Sequence, residues 1–574
     1  MKTEIIPTRE IMNELNLSQW TAQLMMKATG LSVFNDIYTV LSDYEGIELI
    51  EETLKLLNIE VDINENELKN IPKNGPFITV SNHPYGLLDG IILIKVLQKI
   101  RPDFQVTANV LLEKMEPFRK LFISVDPFKK KSLNGFQKVL SRLEEGHCIG
   151  LFPAAEVSTY HNTHKTITDK PWSKSSIKLI QSANVPVIPI YFHGANSWSF
   201  HLLGKIHPLL RTFQLPNEFL KKRNQTIKVR IGQEIPVSKL QQFDQINDLR
   251  QYLRNKTYLL GEGMKQQRFL KPNKSIKDNV EPIIPQIPNS IIQDEIDQLP
   301  SSSVLCEHGH YEVRIAPADK IPYTLLEIGR LREITYRDVG EGTNREIDLD
   351  KFDEYYHHLF IWEKYTQKII GAYRIGMGDE IIKHLGKKGF YTHTLFKFKD
   401  EFTHVLANGI ELGRSFIIKE KQKDAFPLFI LWKGINLLLK RNQQYKYMFG
   451  PVSISNDYSD AAKDAIIYYS YKYLFDEEVA QFVKARKRYK IKDHMKKYID
   501  NLISGEKITI DELDKLIMDI EPKKYRVPVL IRQYIKLNGR LIGFNIDPKF
   551  NHCIDGLILV NVDNIPKKIT NQLT

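Results

Sequence analysis

A chain of 574 residues is too long for one hydrophobic core and should divide into two to four domains. Its apolar fraction of 42% and charged fraction of 26% are those of a soluble globular protein, and no run approaches the roughly 18 to 20 apolar residues of a membrane span. The net charge of +12 bears on partners: anionic lipid headgroups and acidic carrier proteins fit it, and nucleic acid ranks last because the basic residues do not interleave with aromatics in a nucleic-acid module.

The start, MKTEIIPTREIMNELN, is polar and lacks the apolar core of a signal peptide. Residues 1–60 read as a helical segment, with Ile11, Leu15, Leu17, Trp20 and Leu24 and then Leu49, Leu54 and Leu57 at helical spacing. The stretch Trp20 to Leu41, with Met25, Met26, Phe34 and Tyr38, fits an amphipathic membrane-surface segment or an ordinary packed helical pair. Residues 61–262 alternate strand-like runs (PFITV, FQVTAN, CIGLFP, VPVIPIYF, IKVRIG) with helical ones and end in a closing helix, an α/β arrangement. Residues 263–302, rich in lysine, proline and polar groups, read as a linker. A second α/β domain spans 303–475, with strands KIIGAYRIG, IELGRSFII and YKYMFG around the helical AFPLFILWKGINLLLKR. Residues 476–574 read as its extension.

The first constellation begins at SNHPYGLLDG, residues 81–90. A short buried strand runs into a turn that carries an imidazole, His83, and a carboxylate, Asp89, before an apolar helix opens. A neutral imidazole is a good general base near pH 7, and a carboxylate on its other nitrogen fixes its tautomer. The same residues also suit a turn filler and a helix cap. Three further loops, VDPFKKK, FPAAEVS and FHGANS, each follow a strand. Ligands in open α/β sheets sit outside the carboxyl ends of the strands. His83 with Asp89, Phe152-Pro153 with Glu156 and Ser158, and Val185-Pro186 with Pro189 resemble, in order and rough spacing, the glycerolipid and lysophospholipid acyltransferase family. That resemblance implies an acyl thioester donor, His83 as base, Asp89 as its orienter, and Glu156 and Ser158 as substrate-binding residues. Here five residues separate histidine from aspartate where the broad family has four, and Phe-Pro-Ala-Ala-Glu replaces its usual Phe-Pro-Glu-Gly. The five-residue gap, VDPF and FHGANS resemble a bacterial branch labelled hemolysin-like. Glu156 then binds the acceptor's polar head or caps a turn, and Lys129 to Lys131 meet a donor phosphate or form a solvated face.

The second constellation lies between 327 and 415: EIGRLREITYRDVGEGT, DLDKFD, GAYRIG and ELGRS. Asp350 and Asp353 stand one turn apart if the segment is helical, and Arg374, Glu411 and Arg414 fall on strands. Buried strand charges must meet each other or a ligand, so an ion-pair network and a binding site both fit. Arg332, Asp350 with Asp353, Arg374, and Glu411 with Arg414 resemble the acetyltransferase-like (GNAT) fold of acyl-homoserine-lactone synthases and of bacterial N-acyltransferases that make ornithine and glycine lipids. The resemblance implies Glu411 as a catalytic group that takes the amine's proton or holds the acceptor, and the remaining charged residues as substrate-binding. KEKQKDAF stands where this fold has a glycine-rich pyrophosphate loop, which favours acyl carrier protein over coenzyme A as donor.

NHCIDG (551–556) echoes the first motif but spaces His552 and Asp555 only three apart, and reads as a surface turn. HNTH, HGH and the three cysteines, Cys148, Cys306 and Cys553, lack metal-ligand or disulfide spacing, so no metal and no cofactor beyond the thioester substrate are expected, in a reducing compartment. The whole resembles the bifunctional amino-acid lipid synthases of bacteria: the second domain N-acylates an amino acid with a 3-hydroxyacyl group, and the first esterifies that hydroxyl. The expected setting is the cytoplasmic face of the membrane, with acyl carrier protein as partner. The alternatives are a single-activity lysophospholipid O-acyltransferase whose second domain only binds, and a non-enzymatic membrane-binding protein.

Overall fold

The computed structural model describes residues 18–108, 120–125, 133–161, 166–206, 211, 213–265, 280–503, 508–521 and 525–572. Ile11, Leu15, Leu17, Lys129 to Lys131, His164 and residues 266–279 of the expected linker lie outside the described residues, and the end of that expected linker is instead a helix, Asn289–Gln298, which buries Ile292 and Ile296. The chain forms two compact units. One comprises Met1–Arg268 with Lys497–Gly505 and Met518–Lys524; the other comprises Phe269–Lys496, Glu506–Ile517 and Tyr525–Thr574. The segment 476–574 thus does not belong wholly to the second unit. Arg230 donates to the carbonyls of Asp519 and Ile520, and buried Lys256 pairs with the Asp519 carboxylate, which ties this late stretch into the first unit.

Among the described residues the first unit holds nine strands: β1 Glu60–Asp62, β2 Ile78–Ser81, β3 Gln105–Ala108, β4 Phe122–Ser124, β5 Ile149–Leu151, β6 Thr159–His161, β7 Thr166–Thr168, β8 Val187–His193 and β9 Thr226–Ile231. Seven form one sheet in the order β1-β9-β8-β2-β5-β3-β4, and β6 and β7 form a separate hairpin. The strands β8, β2, β5, β3 and β4 are parallel, and β9 runs antiparallel to β8. A parallel sheet is covered on both faces, which explains why every residue of β2 is buried. Helix Leu87–Leu97 follows β2 and buries Leu88, Ile91, Ile92, Leu93, Ile94 and Leu97 in the same core. Because β8, β2 and β5 are adjacent and parallel, the loops after them leave from one edge of the sheet. These loops are 82–86, 152–158 and 194–197.

Helices Gln19–Ala28, Leu31–Val40 and Gly46–Leu56 precede the sheet. Met26, Leu31, Leu41, Leu49 and Leu54 are buried, whereas Trp20, Val33 and Val40 are exposed. The stretch Trp20–Leu41 is therefore packed in part and bare in part.

The second unit contains β10 Val304–His308, β11 Tyr311–Pro317, β12 His357–Glu363, β13 Lys368–Met377, β14 Phe396–Phe398, β15 Gly409–Ile417, β16 Tyr447–Ile454, β17 Val483–Ala485, β18 Arg540–Asp547 and β19 Cys553–Asn561. Its main sheet has the order β10-β11-β12-β13-β15-β16-β19-β18, and only β15 and β16 run parallel. A parallel step needs a crossover, here helix Phe426–Arg441. Gly434 lets that helix lie close to the sheet, since a Cβ there would meet Val313 at 2.6 Å. The parallel pair is joined only at Gly409–Glu411 and Tyr447–Phe449, although both strands run on beyond it. On its other side β15 carries a bulge: Ala372 pairs with Phe416 and Arg374 with Gly413, so Arg414 and Ser415 face Tyr373 alone. Arg414 takes a left-handed backbone, φ 50°.

The segment after Leu349 forms turns rather than a helix. Asp350 accepts from the Phe352 N–H and Asp353 from the Asp350 N–H, so short acidic side chains bond their own backbone instead of a helical ladder.

Candidate active sites

The turn after β2 sets His83 against Asp89, Nδ1 to Oδ2 at 2.9 Å, with Asp89 0% and the His83 side chain 17% exposed. The same Oδ2 accepts the N–H groups of Tyr85 (2.9 Å) and Gly86 (3.0 Å), so Asp89 also caps helix Leu87–Leu97. Cap and histidine partner, two alternatives in the sequence, are one carboxylate. Burial pushes the Asp89 carboxyl up, and the contact with His83 and the two amides draw it back down. The imidazole stacks on Phe152 from the loop after β5, with centroids 4.1 Å apart. Tyr85 donates its hydroxyl to the His193 carbonyl at 2.7 Å. Gly194 is required beside it: its φ is +126° and a Cβ would lie 1.8 Å from the Tyr85 oxygen.

Glu156 is held by two cations, Lys170 and Arg211, each at 2.8 Å. Burial raises its carboxyl, but the two cations prevail and hold it below the usual carboxylate range. Ser158 is buried, and its hydroxyl donates to Asp169 at 2.5 Å. Asp169 also accepts the His83 N–H at 3.1 Å. Sequence reasoning missed Asp169, because it follows a hairpin and shares no local pattern with His83. It also missed Asn196, buried with neither amide atom hydrogen-bonded among the described residues, and Lys222, which donates to the Ala195 carbonyl at 2.9 Å and lies over the Tyr85 ring. Burial lowers the Lys222 ammonium.

In the second unit the three singled-out arginines and two aspartates converge, joined by Asp348. Arg332 donates to the Asp348 carbonyl (2.7 Å) and Asp353 (2.8 Å). Arg374 donates to Asp350 (2.7 Å) and Asp353 (3.1 Å). Arg414, turned by its bulge, reaches Asp350 at 3.4 Å and Asp348 at 3.8 Å. Asp353 is buried, and Arg332 and Arg374 overcome that burial to hold its carboxyl well below the usual range. Burial takes neighbouring His358 down to about 4. Asp350, 27% exposed, is the corner where the network meets solvent. Arg374 and Arg414 lie over the ring of Tyr391, 5.2 and 5.3 Å from its centroid.

Glu411 is fully engaged. It accepts from the Tyr356 hydroxyl and from the N–H groups of Tyr391 (3.0 Å) and Thr392 (2.6 Å). Burial pushes its carboxyl up against these bonds. This geometry makes Glu411 the clasp of the turn that carries Tyr391. The echo motif divides: Asn551 and His552 form a left-handed turn, but Asp555 lies inside β19, buried, accepting from Ser453 at 2.7 Å. The surface-turn reading therefore fails for Asp555, because the strand begins at Cys553. Burial carries its carboxyl to about 7; Asp547 and Glu341 add to this, while Ser453 and Arg414 oppose it.

A family model described as Acyltransferase matches residues 31–266, and one described as Acetyltransferase (GNAT) domain matches residues 331–432. The chain is 30% identical over 301 residues to the glycine N(alpha)-acyltransferase of Phocaeicola vulgatus, covering 50% of this chain and 90% of that protein. It is 30% identical over 270 residues to the glycine N(alpha)-acyltransferase of Bacteroides thetaiotaomicron, covering 44% and 78%. It is 29% identical over 198 residues to the lyso-glycine lipid O-acyltransferase of Phocaeicola vulgatus, covering 33% and 70%.

Proposed function

We infer the activity from a premise the comparisons establish: the chain belongs to the family of the glycine N(alpha)-acyltransferases and carries an acyltransferase domain beside a GNAT domain. It is an acyl-transferring enzyme that makes aminoacyl lipids. One observation carries the finer reading: a single chain is similar both to an N-acyltransferase and to an O-acyltransferase named for lipids of the same amino acid.

In the proposed sequence the second unit works first. The amine of glycine attacks the carbonyl of a 3-hydroxyacyl thioester; the amide C–N bond forms, the C–S bond breaks, and the amine proton leaves to the site or to water. The Arg332, Arg374 and Arg414 network with Asp350 and Asp353 holds the acceptor, whose carboxylate finds its cation in Arg414. Glu411 keeps Tyr391 and its turn in place. The first unit then acts on the 3-hydroxyl. His83 takes the hydroxyl proton, Asp89 faces the resulting imidazolium, and the oxygen attacks a second acyl thioester, releasing thiol. General-base help of this kind contributes on the order of 10² to 10⁴ in rate.

The thioester is carried by acyl carrier protein, an acidic partner that suits the net charge of +12, with coenzyme A as the alternative donor. No described helix is long and apolar enough to cross a membrane, so a lipid product is reached by surface contact. Trp20, Val33, Val40, Trp198 and Leu202 are exposed, the last two one turn apart on helix Trp198–Ile206, and they supply apolar contact at the inner face of the cell membrane.

The test is lipid mass spectrometry of a host without amino-acid lipids that expresses the chain and is fed ¹³C-glycine or ¹³C-ornithine. Mono- and diacylated species labelled from glycine are expected. Label from ornithine alone would replace the acceptor, and altered phospholipid acylation alone would sink the reading.

A further inference from the structure

His83 is held in two ways. Its ring is fixed by Asp89 and Phe152. Its peptide is fixed by the two ends of the β6–β7 hairpin: the Ser158 N–H donates to the His83 carbonyl at 2.8 Å, and Asp169, just after β7, accepts the His83 N–H at 3.1 Å. The Asp169 carboxylate is full. Oδ1 takes the His83 N–H and the Ser158 hydroxyl, and Oδ2 takes the Trp172 indole N–H at 3.1 Å. Its backbone is anchored in turn to helix Ile246–Lys265: its N–H donates to the Tyr258 oxygen at 2.8 Å, and Arg254, stacked on the Tyr258 ring, donates to its carbonyl at 3.2 Å. Asp169 and Trp172 are each only 1% exposed.

We propose that Asp169 is a positioning residue for ester formation: its carboxylate joins helix Ile246–Lys265 and the hairpin to the peptide of His83 and so sets where the imidazole stands. The inference rests on the reading of the first unit as an O-acyltransferase. Three donors converge on the two oxygens, so the site demands an acceptor-only group. An asparagine in place of Asp169 would have to point its NH₂ at the indole N–H or, flipped, at the His83 N–H and the Ser158 hydroxyl. Either arrangement sets donor against donor. A displacement of about 1 Å at a reacting group costs on the order of 10²-fold in rate.

The test uses the full chain with a synthetic N-(3-hydroxyacyl)glycine and an acyl thioester. Asp169→Asn should lower kcat for ester formation about 10- to 100-fold, with both KM values within about twofold. Amide formation from glycine should be unchanged, which reports a folded chain. Asp169→Asn combined with Trp172→Phe removes the opposed donor and should return most of the lost kcat. Wild-type kcat in Asp169→Asn, or a double variant no better than the single one, overturns the proposal. A second readout does not depend on the reaction. Carbethoxylation of His83 by diethyl pyrocarbonate, followed by mass spectrometry with exposed His384 as internal control, should change about threefold or more in Asp169→Asn and revert in the double variant. An unchanged rate at His83 overturns the inference, even if the wild-type protein forms no ester and the O-acyltransferase reading itself has failed.

Discussion

The two sites handle charge in opposite ways. In the first unit one carboxylate, Asp89, meets one imidazole, Phe152 stacks on the ring and Asp169 holds its peptide; Asp89 Oδ1 and the Asn196 amide have no hydrogen-bond partner among the described residues. In the second unit Arg332, Arg374 and Arg414 are matched against Asp348, Asp350 and Asp353, and Glu411 is saturated by Tyr356, Tyr391 and Thr392. A dyad of one carboxylate and one imidazole leaves the fold to be held by other contacts. A mutual network is a scaffold whose members cannot be removed singly, because each deletion strands a buried charge. Substitutions in the first unit should therefore separate activity from stability, and substitutions in the second should not.

The largest expected effect is at His83. His83→Ala should reduce ester formation on the order of 10² to 10⁴-fold, leave amide formation intact and make lipid extracts accumulate the monoacylated amino acid. Thermal unfolding should hardly move. Next comes Arg332→Met, which leaves buried Asp353 with Arg374 alone and buried Asp348 with only the longer contact to Arg414. A loss of about 3–5 kcal/mol is expected, read as an earlier unfolding transition of the second unit together with loss of the amide product. Stability without activity in this variant would mean that the network holds the acceptor but is not also a scaffold.

A smaller effect is expected from pH. The Asp555 carboxyl stands at about 7 in the fold, against roughly 3.9 in an unfolded chain. A raised carboxyl contributes stability that is complete below the unfolded value and is lost as pH rises through the folded one. Asp555→Asn copies the protonated form, so the variant should gain on the wild-type protein in melting temperature, by several degrees, between pH 5 and 8. His358, held down to about 4, has the opposite sign: its contribution is present above about 6.5 and is lost as pH falls through about 4. A melting-temperature difference between Asp555→Asn and wild type that stays flat from pH 5 to 8 would remove Asp555 from the account. The smallest effect is expected at the membrane. Anionic vesicles should sediment more protein than neutral ones, with the excess fading as salt rises, since exposed charges are screened within about 8 Å at physiological ionic strength. Equal binding at all salt concentrations would leave only the apolar contact.

The same contrast governs what could be read from residues alone. The domain pair and the His83–Asp89 unit were legible because the groups that meet are close in sequence, with glycine and proline marking the turn. The arginines and aspartates of the second unit were legible as a set, but whether Asp350 and Asp353 stand on a helix was open in the sequence, and their own backbone bonds make the segment a turn. What escaped depends on distant partners. Glu411 looks like a free carboxylate until residues 356, 391 and 392 close around it, Ser158 looks free until its hydroxyl donates to Asp169, and Asp555 seemed a turn residue because strand and turn meet two positions before it. The late segment at 518–521 joins the first unit through Arg230 and Lys256, a pairing that sequence order hides.

The central claim is that one chain keeps two acyl transfers at two separate sites. The most direct test supplies the purified Glu411→Ala chain with synthetic N-(3-hydroxyacyl)glycine and an acyl thioester, and quantifies the diacylated product by mass spectrometry beside the amide formed from free glycine. The account predicts ester at the wild-type rate and no amide. Loss of the ester together with the amide in a folded variant would contradict it.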